Sequence, residues 1–130
     1  MSDDMLEQGM TTRREVLGDA HVDRAMAGTD AFTADFQEYL TRAAWGAVWS
    51  RPGLDRRTRS CITVAMLAAQ GSEHELALHV RAALRNGVSI EEIKEILLQV
   101  AVYAGVPRAN RAFTVARDAL AGTDASTEAR

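Results

Sequence analysis

A compact, all-α helical bundle that associates into oligomers is predicted by three features of this sequence. Apolar residues recur at helical spacing through most of the chain, and no stretch alternates as a strand would. Alanine is abundant while aromatic residues make up only 5% of the 130 residues, which favours helices packed closely through small side chains. The third feature is the segment from Cys61 to Ala69, which is apolar nearly all round. Such a helix is normally enclosed on every side, and in so short a chain subunit association is the natural cover.

The elements follow in order. Asp3 to Leu17 places Leu6, Met10 and Leu17 on one helical face, with Arg13 in the same stripe. Gly18 ends that helix, and Asp19 is placed to cap a short second one through His21, Val22 and Met26. From Asp30, the spacing of Phe32, Phe36, Tyr39, Leu40 and Ala43 predicts the apolar face of a third helix. Ser50-Arg51-Pro52-Gly53 marks the main loop. A helix then runs from an Asp55 cap to about Gln70, with Gly71 as its stop.

Ser72-Glu73-His74-Glu75 and Ser89-Ile90-Glu91-Glu92 each carry the capping-box pattern that opens a helix. The helix between them ends at Asn86-Gly87. The next has a clean stripe of Ile90, Ile93, Ile96, Leu97, Val100 and Ala101. Leu98 and Val102 lie off that stripe and suggest a second covered surface. Gly105-Val106-Pro107 breaks the chain before a last helix from Arg108 to about Leu120. The expected organisation is one helical domain over residues 1–121 and a disordered polar tail over 122–130.

A net charge of −3 gives the bulk electrostatics no preference for nucleic acid. Cys61 is the single cysteine, so no internal disulfide or cysteine-rich zinc site can form, which fits a reducing compartment. The acidic, interrupted N-terminus does not read as a secretory signal, and no apolar run of about 18 residues offers a membrane span. A cytoplasmic protein is expected.

Three constellations could carry chemistry. Glu75 and His79 stand four apart on a predicted helix, so the carboxylate could orient the imidazole and raise its proton affinity, making a proton donor near neutral pH. The same residues fit a structural role, Glu75 in the capping box and His79 beside the stripe of Leu76, Val80 and Ala83. Arg51, Arg56, Arg57 and Arg59 cluster around a loop and a helix start, where paired guanidinium hydrogen bonds would suit a small dianion. They would equally suit a solvated helix start. Trp45 and Trp49 could wall a pocket for a flat ring, or anchor a core or subunit interface. His21, His74 and His79 lack metal-ligand spacing with one another, so no metal is expected.

These motifs converge on a family. Arg13 to Asp23, Thr41-Arg42-Ala43-Ala44-Trp45-Gly46 with Trp49, Arg51-Pro52-Gly53-Leu54, Thr58-Arg59-Ser60, and Glu75-Leu76 with His79 resemble the carboxymuconolactone decarboxylase family. So do Arg81-Ala82-Ala83, Asn86-Gly87-Val88, Glu91 to Glu95, and Tyr103 through Pro107. The resemblance covers residues 8–120. The half from Arg59 onward is shared with the wider alkylhydroperoxidase-like superfamily and speaks more to fold than to substrate.

The resemblance implies a ring-forming, commonly hexameric, all-α subunit that needs no cofactor. The implied activity is decarboxylation of 4-carboxymuconolactone to 3-oxoadipate enol-lactone, in the protocatechuate branch of the β-ketoadipate pathway. The peroxidase relatives use a Cys-x-x-Cys pair, and with Cys61 alone that chemistry is excluded. Cys61 is better read as a small buried hydrophobe.

Within that reading His79, oriented by Glu75, supplies a proton. Arg59 and Arg51 hold carboxylate or developing negative oxygen, and Trp45 or Trp49 lines a less polar region for the departing carboxylate. The alternatives are a decarboxylase or lactone-processing enzyme acting on another small carboxylated ring, and a non-catalytic helical oligomerisation module.

Overall fold

The computed structural model describes residues 3–128, with side-chain surroundings for 3–122. The fold is all-α, and no strand occurs among the described residues. The chain divides into two compact units, Met1–Arg56 and Arg57–Arg130.

The first unit holds α1 (Asp4–Leu17), α2 (Asp19–Ala27), α3 (Ala34–Leu40) and a π-helix over Thr41–Trp49. Asp3 caps α1 by accepting from the Leu6 amide at 3.1 Å. Gly18 joins α1 to α2 at φ 93°, a value that favours glycine, and is itself the cap of α2; Asp19 is the first helical residue. Asp19 instead adds a favourable negative charge to the first turn and accepts from Arg14 at 3.1 Å.

α1 buries Gly9, Thr12, Arg13 and Val16 rather than the Leu6–Met10–Leu17 face, which is only half-buried. The reason is a close crossing with the π-helix. A Cβ on Gly9 would clash with the Thr41 carbonyl oxygen, and one on Gly46 would lie 2.6 Å from the Met5 carbonyl oxygen. Only glycines allow this approach, and it brings Thr12 and Arg13 within hydrogen-bonding reach of the π-helix and its ends. Gly9→Ala should therefore destabilise the protein by about 1–3 kcal/mol through overpacking. A thermal melt checks this, and an unchanged melting temperature would show that the crossing can relax freely.

The third predicted helix is present, but its apolar face is not a core face. Phe32, Phe36 and Tyr39 are 94%, 61% and 66% exposed. Helical spacing identifies a stripe without saying what covers it. The helix also changes hand-rail spacing at Thr41: nine residues of π-helix are long for a conformation found mostly as single-turn bulges, often at functional sites.

The second unit holds α4 (from Arg57 to Gln70; the helix itself is Arg56–Gln70), α5 (Glu73–Arg85), α6 (Ile90–Ala104) and α7 (Val106–Glu128). Val64 and Ala68 of α4, Leu76 and Val80 of α5, Ile93 and Leu97 of α6, and Ala112 and Ala116 of α7 form its core. The alanines of α7 let the helices approach closely. Cys61 is half-buried against this core and free of any disulfide.

α4 is buried along Ser60, Val64 and Ala68, whereas Ile62 and Met66 are 43% and 55% exposed. The enclosure expected all round is thus not supplied within the chain. Leu98 and Val102 of α6 are exposed as well.

The Ser89 capping box forms with both reciprocal hydrogen bonds, 3.0 Å from the Glu92 amide and 2.9 Å from the Ser89 amide. The expected box at Ser72 does not: the Ser72 hydroxyl donates to Gln70 Oε1 at 3.3 Å and caps no amide. Glu75 is therefore not held in a box. Gly105, at φ 101°, ends α6, and Pro107 sits in the first turn of α7, where its missing N–H costs nothing. α7 starts two residues before the expected Arg108 and continues past Leu120 to Glu128. Of the tail expected over 122–130, the side chains after 122 and all of 129–130 lie outside the described residues.

Candidate active site

The proposed proton donor is placed by α5. His79 is 8% exposed and lies on the buried side of that helix with Leu76, Val80 and Ala83. A buried imidazole is shielded from competing water, which suits a donor to a carbanion and equally suits a core histidine. The expected pairing with Glu75 is not made within the chain. Glu75 is exposed, and neither a hydrogen bond nor an ion pair joins it to His79. The capping box that would have held Glu75 is itself absent, and the helix turns its carboxylate towards solvent.

The basic cluster separates into different environments. In the first unit Arg56 donates to Glu15 at 2.7 Å, and in the second Arg57 pairs with Glu92. Both are partly exposed surface ion pairs. Arg51 is exposed in the loop after the π-helix, its amide bonded to the Val48 carbonyl at 3.0 Å. Arg59 is half-buried on α4, and its carbonyl accepts from the Thr63 hydroxyl at 2.8 Å. Next to it Ser60 is fully buried and accepts from Asn86 Nδ2 at 3.2 Å, tying the start of α4 to the end of α5. Arg59 thus rises from a fixed piece of backbone.

Trp45 and Trp49 are packed ring to ring, with centroids 5.1 Å apart and planes tilted by 32°. Trp45 is buried and Trp49 half-buried. Ser50 locks the end of the π-helix, donating to the Trp45 carbonyl at 2.7 Å and bonding the Thr12 hydroxyl at 2.7 Å. The tryptophans are therefore held rigidly within the first unit.

Two clefts of the second unit have lining residues that do not include Arg59, Glu75 or His79. One, of about 320 Å³, lies between α6 and α7 near Ile93 and Phe113. The other, of about 470 Å³, lies between α4 and α6 near Met66 and Tyr103. Both are mainly apolar. Among the described residues, no three histidine, cysteine or acidic side chains are grouped to hold a metal ion, and no helix is long and apolar enough to cross a membrane.

One charged residue was not singled out from the sequence. Arg13 is 5% exposed, donates to Thr41 Oγ1 at 3.2 Å and to Gln37 Oε1 at 3.1 Å, and burial lowers its pKa, with Arg14 nearby adding to the effect. Its position in an otherwise apolar stripe was the available signal.

Comparison with known proteins adds what the geometry of one chain does not. Residues 34–118 match the carboxymuconolactone decarboxylase family. The chain is 48% identical over 112 residues to the 4-carboxymuconolactone decarboxylase of Acinetobacter baylyi, covering 86% of this chain and 84% of that protein. It is 40% identical over 116 residues to the nitrosuccinic acid decarboxylase of Metarhizium robertsii, covering 89% and 81% respectively. A 4-carboxymuconolactone decarboxylase of Pseudomonas putida is 52% identical over 40 residues, which is 31% of this chain and 83% of that sequence. With a family match over more than half its length and relatives matched nearly end to end, the chain belongs to the carboxymuconolactone decarboxylase family.

Proposed function

We infer that this chain is a carboxy-lyase that converts 4-carboxymuconolactone to 3-oxoadipate enol-lactone in the breakdown of protocatechuate. The observation that carries the inference is the 48% identity to the Acinetobacter enzyme across 86% of the chain, a span longer than the family match itself.

The substrate's ring supplies its own electron sink. The bond between the ring carbon and the carboxylate carbon breaks, carbon dioxide leaves, and the electron pair spreads through the ring double bond onto the lactone carbonyl oxygen. The resulting 2-oxyfuran dienolate then takes a proton at a ring carbon, and the lactone carbonyl re-forms. No cofactor is needed to accept electrons. Arg59 is assigned to the developing negative oxygen or to a substrate carboxylate, because a half-buried guanidinium on a fixed helix start needs no reorganisation to receive charge. Arg51 is assigned to help Arg59 in that role. His79 is assigned as the proton donor, recharged from water. Trp45 and Trp49 are assigned as the rigid apolar wall that favours release of neutral carbon dioxide.

Glu75 keeps a place in this scheme only as a nearby negative charge, since no hydrogen bond or ion pair joins it to His79 in the chain. Glu75→Gln should therefore cost about tenfold or less in turnover, well below the loss typical of a missing proton donor. Steady-state kinetics of the folded variant check this, and a loss matching that of His79→Gln would restore Glu75 as a partner of the histidine.

The fungal relative raises a second reading, decarboxylation of a nitro-substituted dicarboxylic acid. Parallel assays of the lactone and of nitrosuccinate separate the two, and faster turnover of the lactone is expected. Exposed Ile62, Met66, Leu98, Val102 and Tyr103 support assembly into a ring of the hexameric kind. Light scattering should give a multiple of 14.1 kDa; a monomer at micromolar concentration would reject it. The proposed setting is the cytoplasm.

A further inference from the structure

We propose that Arg13 is a carboxylate-binding residue, and that it holds the acetate arm of the substrate, the carboxylate that remains after carbon dioxide is lost. The choice of ligand rests on the decarboxylase reading above; the need for an anion at Arg13 does not.

A guanidinium stays charged in proteins and offers five N–H donors. Two of Arg13's are engaged, by Thr41 Oγ1 and Gln37 Oε1, which leaves three, including a buried Nε–H with no hydrogen bond. Both acceptors are neutral. No ion pair to Arg13 occurs among the described residues, and the charged neighbour acting on it is another cation, Arg14. Arg14 is itself taken by Asp19 and Asp23 at 3.1 and 2.9 Å. A cation that is 5% exposed and lacks a counter-charge is costly, and an incoming carboxylate would relieve that cost through paired, charge-assisted hydrogen bonds.

The position is also prepared and reachable. The Gly9–Gly46 crossing holds α1 against the π-helix. The Thr41 hydroxyl donates to the Gln37 carbonyl at 2.7 Å, so its oxygen is turned to receive Arg13. Gln37 is half-buried, which puts the guanidinium one movable side chain below the surface.

The substrate has two carboxylates, and their fates decide which one belongs here. A guanidinium fork stabilises an ionised carboxylate and would oppose its conversion to neutral carbon dioxide. The carboxylate held by Arg13 is therefore the one that does not react.

The test uses a saturated five-membered lactone carrying the carboxylate and the acetate arm. It lacks the ring double bond that accepts electrons and so does not turn over. Calorimetric affinities are compared between this probe and its acetate-arm carboxamide, for the wild type and for Arg13→Lys and Arg13→Met. The wild type should prefer the dicarboxylate by about thirtyfold or more. Arg13→Met should abolish that preference and Arg13→Lys should retain part of it.

A folded Arg13→Met that keeps the full preference overturns the proposal. Should neither variant fold, the through-bond-assigned Arg13 Nε–H resonance of the wild type decides: it should move on saturation with the dicarboxylate and not with the carboxamide. A resonance that ignores the probe but moves on dilution would overturn the proposal and assign the counter-charge to a second copy of the chain. Binding of the probe is read independently of turnover, so wild-type protein that binds it through Arg13 but fails to convert the unsaturated lactone would reject the assigned reaction alone.

Discussion

Replacing His79 with glutamine is expected to lower turnover by about 10²–10⁴-fold, equivalent to about 2.7–5.4 kcal/mol in the barrier. Glutamine keeps a hydrogen-bonding side chain of similar size in a position that is 8% exposed, but it cannot deliver a proton and recover it from water. His79→Ala should match it in rate while also costing stability, because it leaves a gap beside Leu76 and Val80. Stopped-flow or steady-state assays on variants shown to be folded provide the reading. If both variants stay within a few-fold of the parent, His79 is a core histidine and the proton comes from elsewhere.

The second large effect is expected at Arg59. Arg59→Met should reduce kcat/KM by about 10²–10³-fold, the range typical of losing one donor to a developing oxyanion. Arg59→Lys should recover only part of this, since an ammonium group keeps the charge but not the planar fork. Arg57→Met is the control. Arg57 is committed to Glu92 at the surface, and its loss should leave kinetics close to the parent. A folded Arg59→Met with unchanged kcat and KM would remove Arg59 from the site.

The parts of the fold written in short stretches of sequence were legible. Helix ends at Gly18, Asn86-Gly87 and Gly105, and the capping box at Ser89, depend on a few neighbouring residues and are found where their spacing indicates. Ser72 carries the same pattern but not the same outcome, because its backbone sits at ψ 76° rather than at the extended ψ of 161° that aims the Ser89 hydroxyl at its amide.

Periodicity found the helix that carries Phe36 and Tyr39, with Phe32 in the turn before it, but all three are exposed, since a stripe does not name its cover. The π-helix had no signature: α- and π-turns differ in hydrogen-bond span, not in composition.

The candidate site was legible in kind more than in arrangement. His79 and Arg59 stand out because histidine and arginine are costly on partly buried helix faces. The arginines at 56 and 57 could not be separated from Arg59 by sequence, because their partners Glu15 and Glu92 lie in distant helices. Arg13 was visible in an apolar stripe. A long side chain there usually extends its charge to water, and only the crossing at Gly9 and Gly46 shows that this one cannot.

The most direct measurement mixes the purified protein with enzymatically generated 4-carboxymuconolactone, without added metal or cofactor, and follows carbon dioxide and enol-lactone together. The account predicts rapid formation of both in equal amounts, continuing through many turnovers. A folded, oligomeric sample that releases no carbon dioxide from the lactone would contradict it, leaving the family and the fold in place and the substrate to be sought elsewhere.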